Sequence, residues 1–414
     1  MTDSEVAEYH SLFLSISSTD ELGHIIYVSE AKWAVVNEKA VEKTKAAFSA
    51  LGSLSLRKLW TMDGSPGTSL GDQMRLQSLD LPSMKDGFDS ARVVALMPFS
   101  SGTTGFPKGV MLSHRNLVTT YASTMFVRSL NPDIKFNIYE SALLFLPMYH
   151  MYGYNIMMNT FTLGGKLVLL NKFSPKKFLE AIQKYKVTFA PVVPYVMRIL
   201  VETPLINQYD LSSLYGFLTG SAPVAGKTLD ALSEKSGRIS IQGYALTESC
   251  GTGSANRGLP GTKSNSVGYF GPFFKAKVID VATGEMLGEM EEGELCLQGP
   301  SIMMGYANNP KATAETIDSE GWLHTGDLAY FNEEDEVFIT DRMKDLIKVK
   351  GYQVSPAELE ALIQKLDNVC EVAVAGVPDA RLGEVPRAWI VPVPGTTIDK
   401  KAVMKHVAGN NRFH

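Results

Sequence analysis

Short apolar runs of strand length alternate with helical stretches from residue 91 onward, and this alternation constrains the fold more than any other feature of the chain. The runs occupy residues 93–97, 142–146, 166–170 and 187–193. Strands that alternate with helices are typical of an α/β architecture with largely parallel sheets. We therefore predict a large N-terminal α/β domain built of packed, mostly parallel sheets.

A change of pattern after residue 265 predicts a second kind of structure. Residues 276–280, 293–299 and 336–340 have the pattern of antiparallel strands separated by turns. With 414 residues, the length predicts about two to three domains. We predict an N-terminal domain over residues 1–341, with a small β-barrel-like subdomain at residues 265–341, and a small α+β C-terminal domain over residues 342–414.

The C-terminal domain is predicted to contain a well-capped helix. Ser355 is a good N-cap, Pro356 suits the first helical position, and Glu358 completes a capping box. The residues that follow place one apolar face at helical spacing: Leu359, Leu362, Ile363 and Leu366. Two strands are predicted after this helix, at residues 371–375 and 388–392.

Charge and hydropathy exclude several classes of protein. The chain is 45% hydrophobic and 20% charged, with a formal net charge of -5, which gives no electrostatic reason to expect a nucleic acid as partner. No apolar run reaches the ~18 residues that a membrane-spanning helix needs. We expect an intracellular protein, cytoplasmic or peroxisomal, although the last residues are not a peroxisomal signal. The three cysteines lie far apart, which favours reduced thiols over disulfides or a structural zinc site.

Segment 100–109, with the sequence SSGTTGFPKG, has the composition of a phosphate-binding loop. Glycines permit close backbone approach, hydroxyls donate to phosphate oxygens, and Lys108 adds a positive charge. The segment follows an apolar strand and precedes a helix predicted to begin near His114, a place where anion-binding loops work. It is not a Walker A loop, because no Gly-Lys-Ser/Thr occurs at the needed spacing. Taken alone, a turn rich in Gly, Ser and Thr is more often only a turn.

This loop, with its flanking residues 99–114, resembles the signature loop of the adenylate-forming superfamily. That family includes acyl-CoA synthetases, 4-coumarate–CoA ligases, firefly-type luciferases and peptide-synthetase adenylation domains, and the chain looks most like the 4-coumarate–CoA ligase and luciferase branch. The resemblance implies that the loop holds the β- and γ-phosphates of ATP. The implied phosphate-binding residues are Ser100, Ser101, Gly102, Thr103, Thr104, Gly105 and Lys108.

Segment 146–152, LPMYHMY, resembles the motif at the acyl pocket of the same family. The resemblance implies that His150 lies near the substrate carboxylate and that Tyr152 lines the pocket. We expect Ile156 in the pocket as well, and Ile156 with Tyr154 indicates an apolar pocket compatible with medium-chain fatty or aromatic acids. Peptide-synthetase domains usually have an Asp in this motif, and its absence disfavours an amino-acid substrate. Taken alone, the motif is more often a core histidine at the start of an aromatic-rich helix.

Two further segments resemble the family's adenine-binding motifs. Segment 220–223, which contains Gly220, Ser221, Ala222 and Pro223, resembles the loop that packs against adenine. Segment 242–248 resembles a central motif and comprises Gln242, Gly243, Tyr244, Ala245, Leu246, Thr247 and Glu248. The resemblance implies that Tyr244 stacks on adenine, Thr247 contacts the α-phosphate and Glu248 holds Mg²⁺. A flat purine suits an aromatic face and a hard cation suits a carboxylate. The family usually has Gly where this chain has Ala245, and the added methyl group is expected to crowd the nucleotide or the acyl pocket.

Segments 321–327 and 341–353 resemble the ribose motif and the hinge segment. A carboxylate can accept hydrogen bonds from both ribose hydroxyls, so Asp327 is the predicted ribose ligand, joined by Arg342. Lys344 is the implied hinge position. The resemblance also implies that three residues face the site when the C-terminal domain rotates: Lys348, Lys350 and Gln353.

The family's chemistry has two steps, and the resemblance implies the same steps here. A carboxylate attacks the α-phosphorus of ATP, which gives acyl-AMP and pyrophosphate, and the thiol of coenzyme A then attacks acyl-AMP to give a thioester. We therefore expect ATP, Mg²⁺, coenzyme A and a small carboxylic acid as ligands. His150, Thr247, Lys348 and Lys350 are the predicted catalytic residues.

Compared with the family, the sequence begins inside the N-terminal domain and stops at His414, before the Pro-Lys-x-x-x-Gly-Lys string that carries a catalytic lysine. We accordingly expect weak adenylation by this polypeptide. Two alternatives stay open at this point. One is a nucleotide-binding pseudoenzyme or regulatory paralogue of the same fold, and the other is a luciferase-like monooxygenase.

Overall fold

A computed structural model of the chain describes residues 19–52, 56–61, 87–100, 106–129, 140–222, 224–256, 263–349, 352–379 and 381–410. The chain divides into two compact units. The first unit comprises Met1–Ala276 and Leu297–Leu323, and the second comprises Lys277–Cys296 and His324–His414. The predicted domain boundary at residue 341 stays a prediction.

The strands of the described residues are, in chain order, β1 Trp33–Val36, β2 Lys58–Thr61, β3 Val94–Leu96, β4 Phe99–Ser100, β5 Lys108–Ser113, β6 Ser141–Leu144, β7 Lys166–Leu169, β8 Phe189–Val192, β9 Gly216–Thr219, β10 Ile239–Ala245, β11 Gly253–Ala255, β12 Tyr269–Phe270, β13 Lys275–Ile279, β14 Gly293–Gln298, β15 Gly305–Tyr306, β16 Leu323–Phe331, β17 Val337–Arg342, β18 Ile347–Val349, β19 Tyr352–Val354, β20 Val369–Asp379 and β21 Gly383–Pro392.

The α-helices are α1 Thr19–Ser29, α2 Val41–Ala50, α3 His114–Ser129, α4 Met151–Thr162, α5 Pro175–Tyr185, α6 Pro194–Glu202, α7 Gly226–Ser236, α8 Pro310–Thr316, α9 Pro356–Ile363 and α10 Lys400–Asn410. Short 3₁₀ turns occupy Glu38–Ala40, Pro204–Gln208 and Met343–Asp345. None of the helices in the described ranges is long and apolar enough to cross a membrane.

The main sheet of the first unit has the order β12-β11-β10-β9-β8-β6-β7. Strands β7, β6, β8, β9 and β10 run parallel, while β11 and β12 extend the sheet in antiparallel fashion. The predicted α/β architecture with mostly parallel strands is therefore confirmed. The apolar runs of the sequence became β3, β6, β7 and β8, each within a few residues of its predicted place.

The main sheet is covered on both faces, which explains why its strands are apolar runs rather than alternating ones. Leu143 lies in a core cluster with Phe178 of α5 and Phe217 of β9. Its neighbours Ala142 and Leu144 lie in a different cluster. Since successive side chains of a strand point to opposite faces, the two clusters fill the two sides of the sheet.

A smaller sheet in the first unit has the order β15-β5-β3, with β4 also paired to β5. In the β4–β5 hairpin, Phe99 lies opposite Gly109 and Ser100 lies opposite Lys108. The glycine-rich segment is therefore the connection of a hairpin. The helix predicted to begin near His114 is confirmed as α3, and β5 lies between the loop and this helix.

The second unit contains two four-stranded sheets, β13-β14-β16-β17 and β19-β18-β21-β20. Strands β16 and β17 form an antiparallel hairpin, as the polar turn at residues 332–335 predicts. The second sheet packs with α9 and α10 around a core that includes Ile347, Leu359, Ile363 and Val403. The predicted cap of α9 is confirmed, because the side chain of Ser355 accepts a hydrogen bond from the backbone N–H of Glu358.

Candidate nucleotide and acyl site

Three predicted motifs of the first unit follow the carboxyl ends of parallel strands. Segment 146–152 follows β6, segment 220–223 follows β9, and segment 242–248 overlaps the end of β10. The carboxyl ends of parallel strands meet at one edge of a sheet, and this edge is where ligands bind in open α/β folds. The topology therefore brings the acyl and adenine motifs to the same edge.

Tyr152 connects the acyl motif to this edge of the sheet. Its hydroxyl group donates a hydrogen bond to the carbonyl oxygen of Leu218 in β9 at 2.7 Å. Its ring lies beside the adenine loop, since a Cβ atom added at Gly220 would lie 4.0 Å from Cε1 of Tyr152. The phenol thus fixes α4 against β9, and its predicted place in the acyl pocket stays a prediction.

His150 is the N-cap of α4, and this role determines its tautomer. Nδ1 accepts a hydrogen bond from the backbone N–H of Tyr152 at 3.2 Å. A nitrogen that accepts carries no proton, so the neutral ring carries its proton on Nε2. The side chain is exposed, yet the surrounding protein removes enough water from the ring to lower the pKa of His150 below its usual value. The alternative of a core histidine is therefore wrong.

Ile156 lies one turn further along α4 and is 3% exposed. It packs in the core cluster with Ala142, Leu144 and Phe189. The structure thus shows Ile156 as part of the apolar packing between α4 and the main sheet. Its contact with a substrate stays a prediction.

The loop after β9 contains an unusual backbone conformation. Ser221 has a φ of 74°, in the left-handed region that residues other than Gly rarely adopt. Ser221 and Ala222 are exposed and Gly220 is half-buried, while Pro223 lies outside the described residues. Strained residues of this kind cluster at ligand-binding loops.

Strand β10 presents the central motif to the same edge. Gln242 is buried and its side chain donates a hydrogen bond to the carbonyl oxygen of Ser264 at 3.2 Å, so it supports the strand. A Cβ atom at Gly243 would lie 3.0 Å from the carbonyl oxygen of Ser254, which explains glycine at this position. Tyr244 is half-buried and Ala245 is exposed.

A tight turn, and not a helix, follows β10 and contains Thr247 and Glu248. Cys250 and Gly251 both have φ values above 60° in this turn. The side-chain amide of Asn155 in α4 donates to the carbonyl oxygens of Cys250 at 2.8 Å and of Gly251 at 3.0 Å. Helix α4 therefore holds the turn that carries the predicted metal ligand.

Glu248 is joined to the phosphate loop through Tyr306. The hydroxyl group of Tyr306 donates a hydrogen bond to Oε1 of Glu248 at 2.8 Å. The ring of Tyr306 lies under the ammonium group of Lys108, 4.7 Å from Nζ to the ring centroid. Burial, reinforced by the negative charge of Glu248, raises the pKa of Tyr306, so the phenol stays a proton donor.

Both ends of the phosphate loop lie in the β4–β5 hairpin. Ser100 and Lys108 lie opposite each other, and Lys108 is half-buried. His24 of α1 supports the exit of the loop, because its ring stacks on Phe106 at 4.8 Å and its Nε2 lies 2.9 Å from the carbonyl oxygen of Pro107. The other predicted phosphate-binding residues lie outside the described residues: Ser101, Gly102, Thr103, Thr104 and Gly105.

In the second unit, the two predicted ribose ligands form an ion pair. Asp327 and Arg342 lie opposite each other in the β16–β17 hairpin, with Arg342 Nε 3.3 Å from Asp327 Oδ1. Glu294 of β14 supports the turn before Asp327, because its Oε1 accepts from Gly326 N–H at 3.1 Å and its Oε2 lies 2.9 Å from His324 Nδ1.

One group of potential metal ligands lies in this second unit. The ligand atoms of Glu294, Cys296 and His324 lie within 4.8 Å of one another. Glu294 is already engaged with His324 and Gly326. The group therefore serves in this structure as a hydrogen-bonded support of the turn before Asp327.

The predicted hinge segment carries two exposed lysines within the described residues. Lys344 lies in the 3₁₀ turn Met343–Asp345 and is exposed, as is Lys348. The backbone N–H of Lys348 donates to a carboxylate oxygen of Glu384 at 2.7 Å. Lys350 lies outside the described residues, and Gln353 is described only as part of the backbone of β19.

Sequence reasoning missed Tyr306 and Asn155. Each lies far along the chain from the residues it holds, since Tyr306 meets Glu248 across 58 positions and Asn155 meets Cys250 across 95 positions. The only sequence signal is their composition, a tyrosine beside a glycine and an amide on an apolar helix. That signal is too common to single them out.

A family model described as AMP-binding enzyme matches residues 13–307, and another described as AMP-binding enzyme C-terminal domain matches residues 358–412. The chain is 38% identical over 399 residues to 4-coumarate--CoA ligase-like 9 of Arabidopsis thaliana, covering 95% of this chain and 68% of that protein. It is 40% identical over 329 residues to luciferin 4-monooxygenase of Photinus pyralis, covering 78% of this chain and 58% of that protein. The chain thus spans about two thirds or less of these relatives.

Among solved structures, the chain is similar to ATP-bound MatB from Rhodopseudomonas palustris. The two share a TM-score of 0.86 and 28% sequence identity, over 97% of this chain and 77% of that one.

Proposed function

The chain belongs to the AMP-binding enzyme family, and on that premise we propose that it is an ATP-dependent acid–thiol ligase. The carboxylate of the acid attacks the α-phosphorus of ATP, the bond to the β-phosphate oxygen breaks, and pyrophosphate leaves with the electron pair. The thiol of coenzyme A then attacks the acyl carbon of acyl-AMP, releases AMP and forms a thioester. The relatives named 4-coumarate–CoA ligase support this reaction class.

The single observation that carries the proposal is the chain of contacts from Lys108 through Tyr306 to Glu248. It brings a cation beside the phosphate loop and a carboxylate into one network. Phosphoryl transfer depends mainly on positioning and on neutralising developing charge, and a cation with a metal-binding carboxylate supplies both.

The donor set at Glu248 fits Mg²⁺. Its Oε1 is held by the hydroxyl group of Tyr306, and no group of the described residues hydrogen-bonds Oε2. A carboxylate with one oxygen fixed and the other available suits a hard cation that prefers oxygen ligands. When bound, Mg²⁺ offsets negative charge on the phosphates. Glu248 would hold the ion, and the hydroxyl group of Thr247 would contact the α-phosphate.

On the acyl side, we assign the substrate carboxylate to His150. The cap at Nδ1 leaves Nε2–H as the donor, and an N–H of a neutral ring can orient a carboxylate without forming a tight ion pair that hinders attack. An apolar acid suits the segment, because the half-buried Tyr152 and Tyr154 supply aromatic surface, whereas Ile156 is packed in the core. We therefore assign medium-chain fatty or aromatic acids as the substrate class.

On the nucleotide side, we assign adenine to Tyr244 and the loop 220–223, and ribose to Asp327 with Arg342. Gln242, Gly243 and Ala245 complete the strand that carries Tyr244. For the thioester step, we assign Lys344 as the hinge and place Lys348, Lys350 and Gln353 on the face that rotation brings to the acyl-AMP. This assignment rests on the family, and on the exposure of Lys344 and Lys348.

The decisive experiment is hydroxylamine trapping of acyl-AMP with the purified chain and a panel of carboxylic acids. We expect ATP-dependent hydroxamate with aromatic or medium-chain acids and none with amino acids. Tight ATP binding without hydroxamate for any acid would overturn the ligase and favour the pseudoenzyme. Weak adenylation by this polypeptide also stays a prediction, and pyrophosphate exchange as fast as that of a full-length relative would contradict it.

A further inference from the structure

Tyr306 occupies a rigid position between the phosphate loop and the predicted metal ligand. It is 7% exposed, lies opposite Val110 of β5, and its backbone N–H donates to the hydroxyl oxygen of Thr313 at 2.9 Å. The preceding Gly305 has a φ of 140°, and a Cβ atom there would lie 2.7 Å from a methyl carbon of Thr313. The backbone therefore has little freedom to move the phenol away from Glu248.

The hydroxyl group of Tyr306 is a permanent donor to Glu248. A phenol of ordinary acidity keeps its proton throughout the physiological range, so the hydroxyl group remains a donor. A carboxylate accepts hydrogen bonds only, so the 2.8 Å contact fixes Oε1 and with it the orientation of Oε2.

The ring of Tyr306 holds a cation close to this carboxylate without letting the two pair. Lys108 Nζ lies 4.7 Å from the ring centroid, a distance typical of a cation–π contact. Among the ion pairs of the part of the chain that the structure describes, none joins Lys108 to Glu248. Direct pairing would satisfy the charge of each, and would leave Lys108 less able to bind phosphate and Glu248 less able to bind a metal ion.

We infer that Tyr306 is a positioning residue that keeps Glu248 oriented for a divalent cation and keeps Lys108 apart from it until phosphate arrives. This inference rests on the proposed function and adds to it a residue that the motifs leave out. The two contacts of Tyr306, the hydroxyl group with Glu248 and the ring with Lys108, can be removed separately by mutation. Tyr306→Phe removes only the hydroxyl group and keeps the ring, whereas Tyr306→Leu removes both the donor and the aromatic face.

The test measures equilibrium binding of ATP across a Mg²⁺ titration, with AMP as a ligand that lacks the β- and γ-phosphates. For Tyr306→Phe we expect the Mg²⁺ concentration at half-maximal ATP binding to rise about tenfold, the size of losing one hydrogen bond to a charged group. High Mg²⁺ should restore ATP affinity in Tyr306→Phe and fail to do so in Glu248→Gln. Tyr306→Leu should also weaken ATP binding at saturating Mg²⁺, because Lys108 can then pair with Glu248.

The exposed Tyr195 provides the matched control, since Tyr195→Phe makes the same chemical change at a side chain that is 65% exposed. AMP affinity should stay at the wild-type level in Tyr306→Phe. A Mg²⁺ midpoint within twofold of wild type, or an equal loss of AMP affinity, would overturn the inference while leaving the ligase proposal intact. If the wild type binds ATP independently of Mg²⁺, the proposed function and the inference both fall.

Discussion

Arg342 Nε lies 3.3 Å from Asp327 Oδ1, across two neighbouring strands of the β16–β17 hairpin. The side chains differ sharply in exposure, since Asp327 is 4% exposed and Arg342 is 50% exposed. A buried carboxylate is costly unless charged and polar groups satisfy it, so the arginine stabilises the ionised form. Its guanidinium group remains accessible to a ligand at the surface.

This pair predicts a specific defect in ribose recognition. Asp327→Asn removes the charge and replaces one acceptor oxygen with a donor, so we expect ATP affinity to fall about tenfold. The loss should be much smaller for 3′-deoxy-ATP, which lacks one of the hydroxyls. Binding of both nucleotides to the two proteins measures the effect. Asp335→Asn, an isosteric change in the turn of the same hairpin, should alter neither affinity, and an equal loss for both nucleotides would contradict the ribose assignment.

The parts of the fold that sequence predicted well are those set by local periodicity. Apolar runs identified β6, β7 and β8, because strands buried on both faces need apolar side chains throughout. The cap of α9 was predictable from Ser355 and Pro356, since capping depends on residues within one turn. The arrangement of the phosphate loop was not, because the pairing of Ser100 with Lys108 depends on how β5 bonds to β4 and β15.

The residues of the candidate site also fall into two groups, those that lie in local sequence motifs and those that act through long-range contacts. Residues in contiguous motifs, such as Tyr244 and Glu248, could be assigned from the resemblance to a family, and their roles stay predictions. Tyr306 contacts Glu248, and Asn155 contacts the turn after Glu248 at Cys250 and Gly251, and only the folded chain creates these contacts. Such supporting residues carry no local pattern, so the geometry of the turn that holds Glu248 could not be predicted.

Lys108 predicts a difference between triphosphate and monophosphate binding. Lys108→Met keeps the length and apolar stem of the side chain but removes the cation, so we expect ATP affinity to fall by about tenfold to a hundredfold, as for lost hydrogen bonds to charged groups. AMP affinity should change less than twofold. Calorimetry with each nucleotide tests this, with the exposed Lys45→Met as control. Equal losses for AMP and ATP would place Lys108 away from the terminal phosphates.

His150 predicts a pH-dependent contribution to stability. Its folded-state pKa is lowered, so the unfolded chain binds the proton more tightly. The contribution of the neutral His150 ring to the free energy of unfolding is complete above the unfolded pKa of about 6.5. It is lost as pH falls through that value toward the folded pKa. Protonation also removes the Nδ1 acceptor that caps α4. His150→Asn keeps a capping oxygen and does not titrate.

Urea unfolding of wild type and His150→Asn at a series of pH values checks this. The stability difference between the two proteins should be constant above pH 7 and should move against wild type below about pH 6.5. If this stability difference is independent of pH down to pH 5, or shifts in favour of wild type in acid, the assigned tautomer is contradicted.

Asp341 and Ser355 predict a local opening of α9. The hydroxyl group of Ser355 donates to Asp341 Oδ2 and accepts from the backbone N–H of Glu358. Ser355→Ala removes both bonds, which should cost about 1 kcal/mol at the helix start. Hydrogen exchange of peptides covering residues 355–363 should speed up about fivefold, the factor that this energy implies. The neighbouring Asp345→Ala, at an exposed position, should leave exchange unchanged.

Gly153 predicts that the acyl motif tolerates no side chain at the start of α4. A Cβ atom there would lie 2.3 Å from the carbonyl oxygen of Pro147, whereas a Cβ atom at Gly23 in α1 would have nothing within 4 Å. Gly153→Ala must therefore push the backbone of Pro147 away and displace His150, at a cost of about 1–3 kcal/mol. Gly23→Ala should stabilise by about 0.5–1 kcal/mol, because alanine loses less entropy in a helix. Urea unfolding measures both changes.

Hydroxamate formation should fall in Gly153→Ala more than ATP affinity does, since the displaced residues belong to the predicted acyl side. A Gly153→Ala variant that is as stable and as active as wild type would refute the contact.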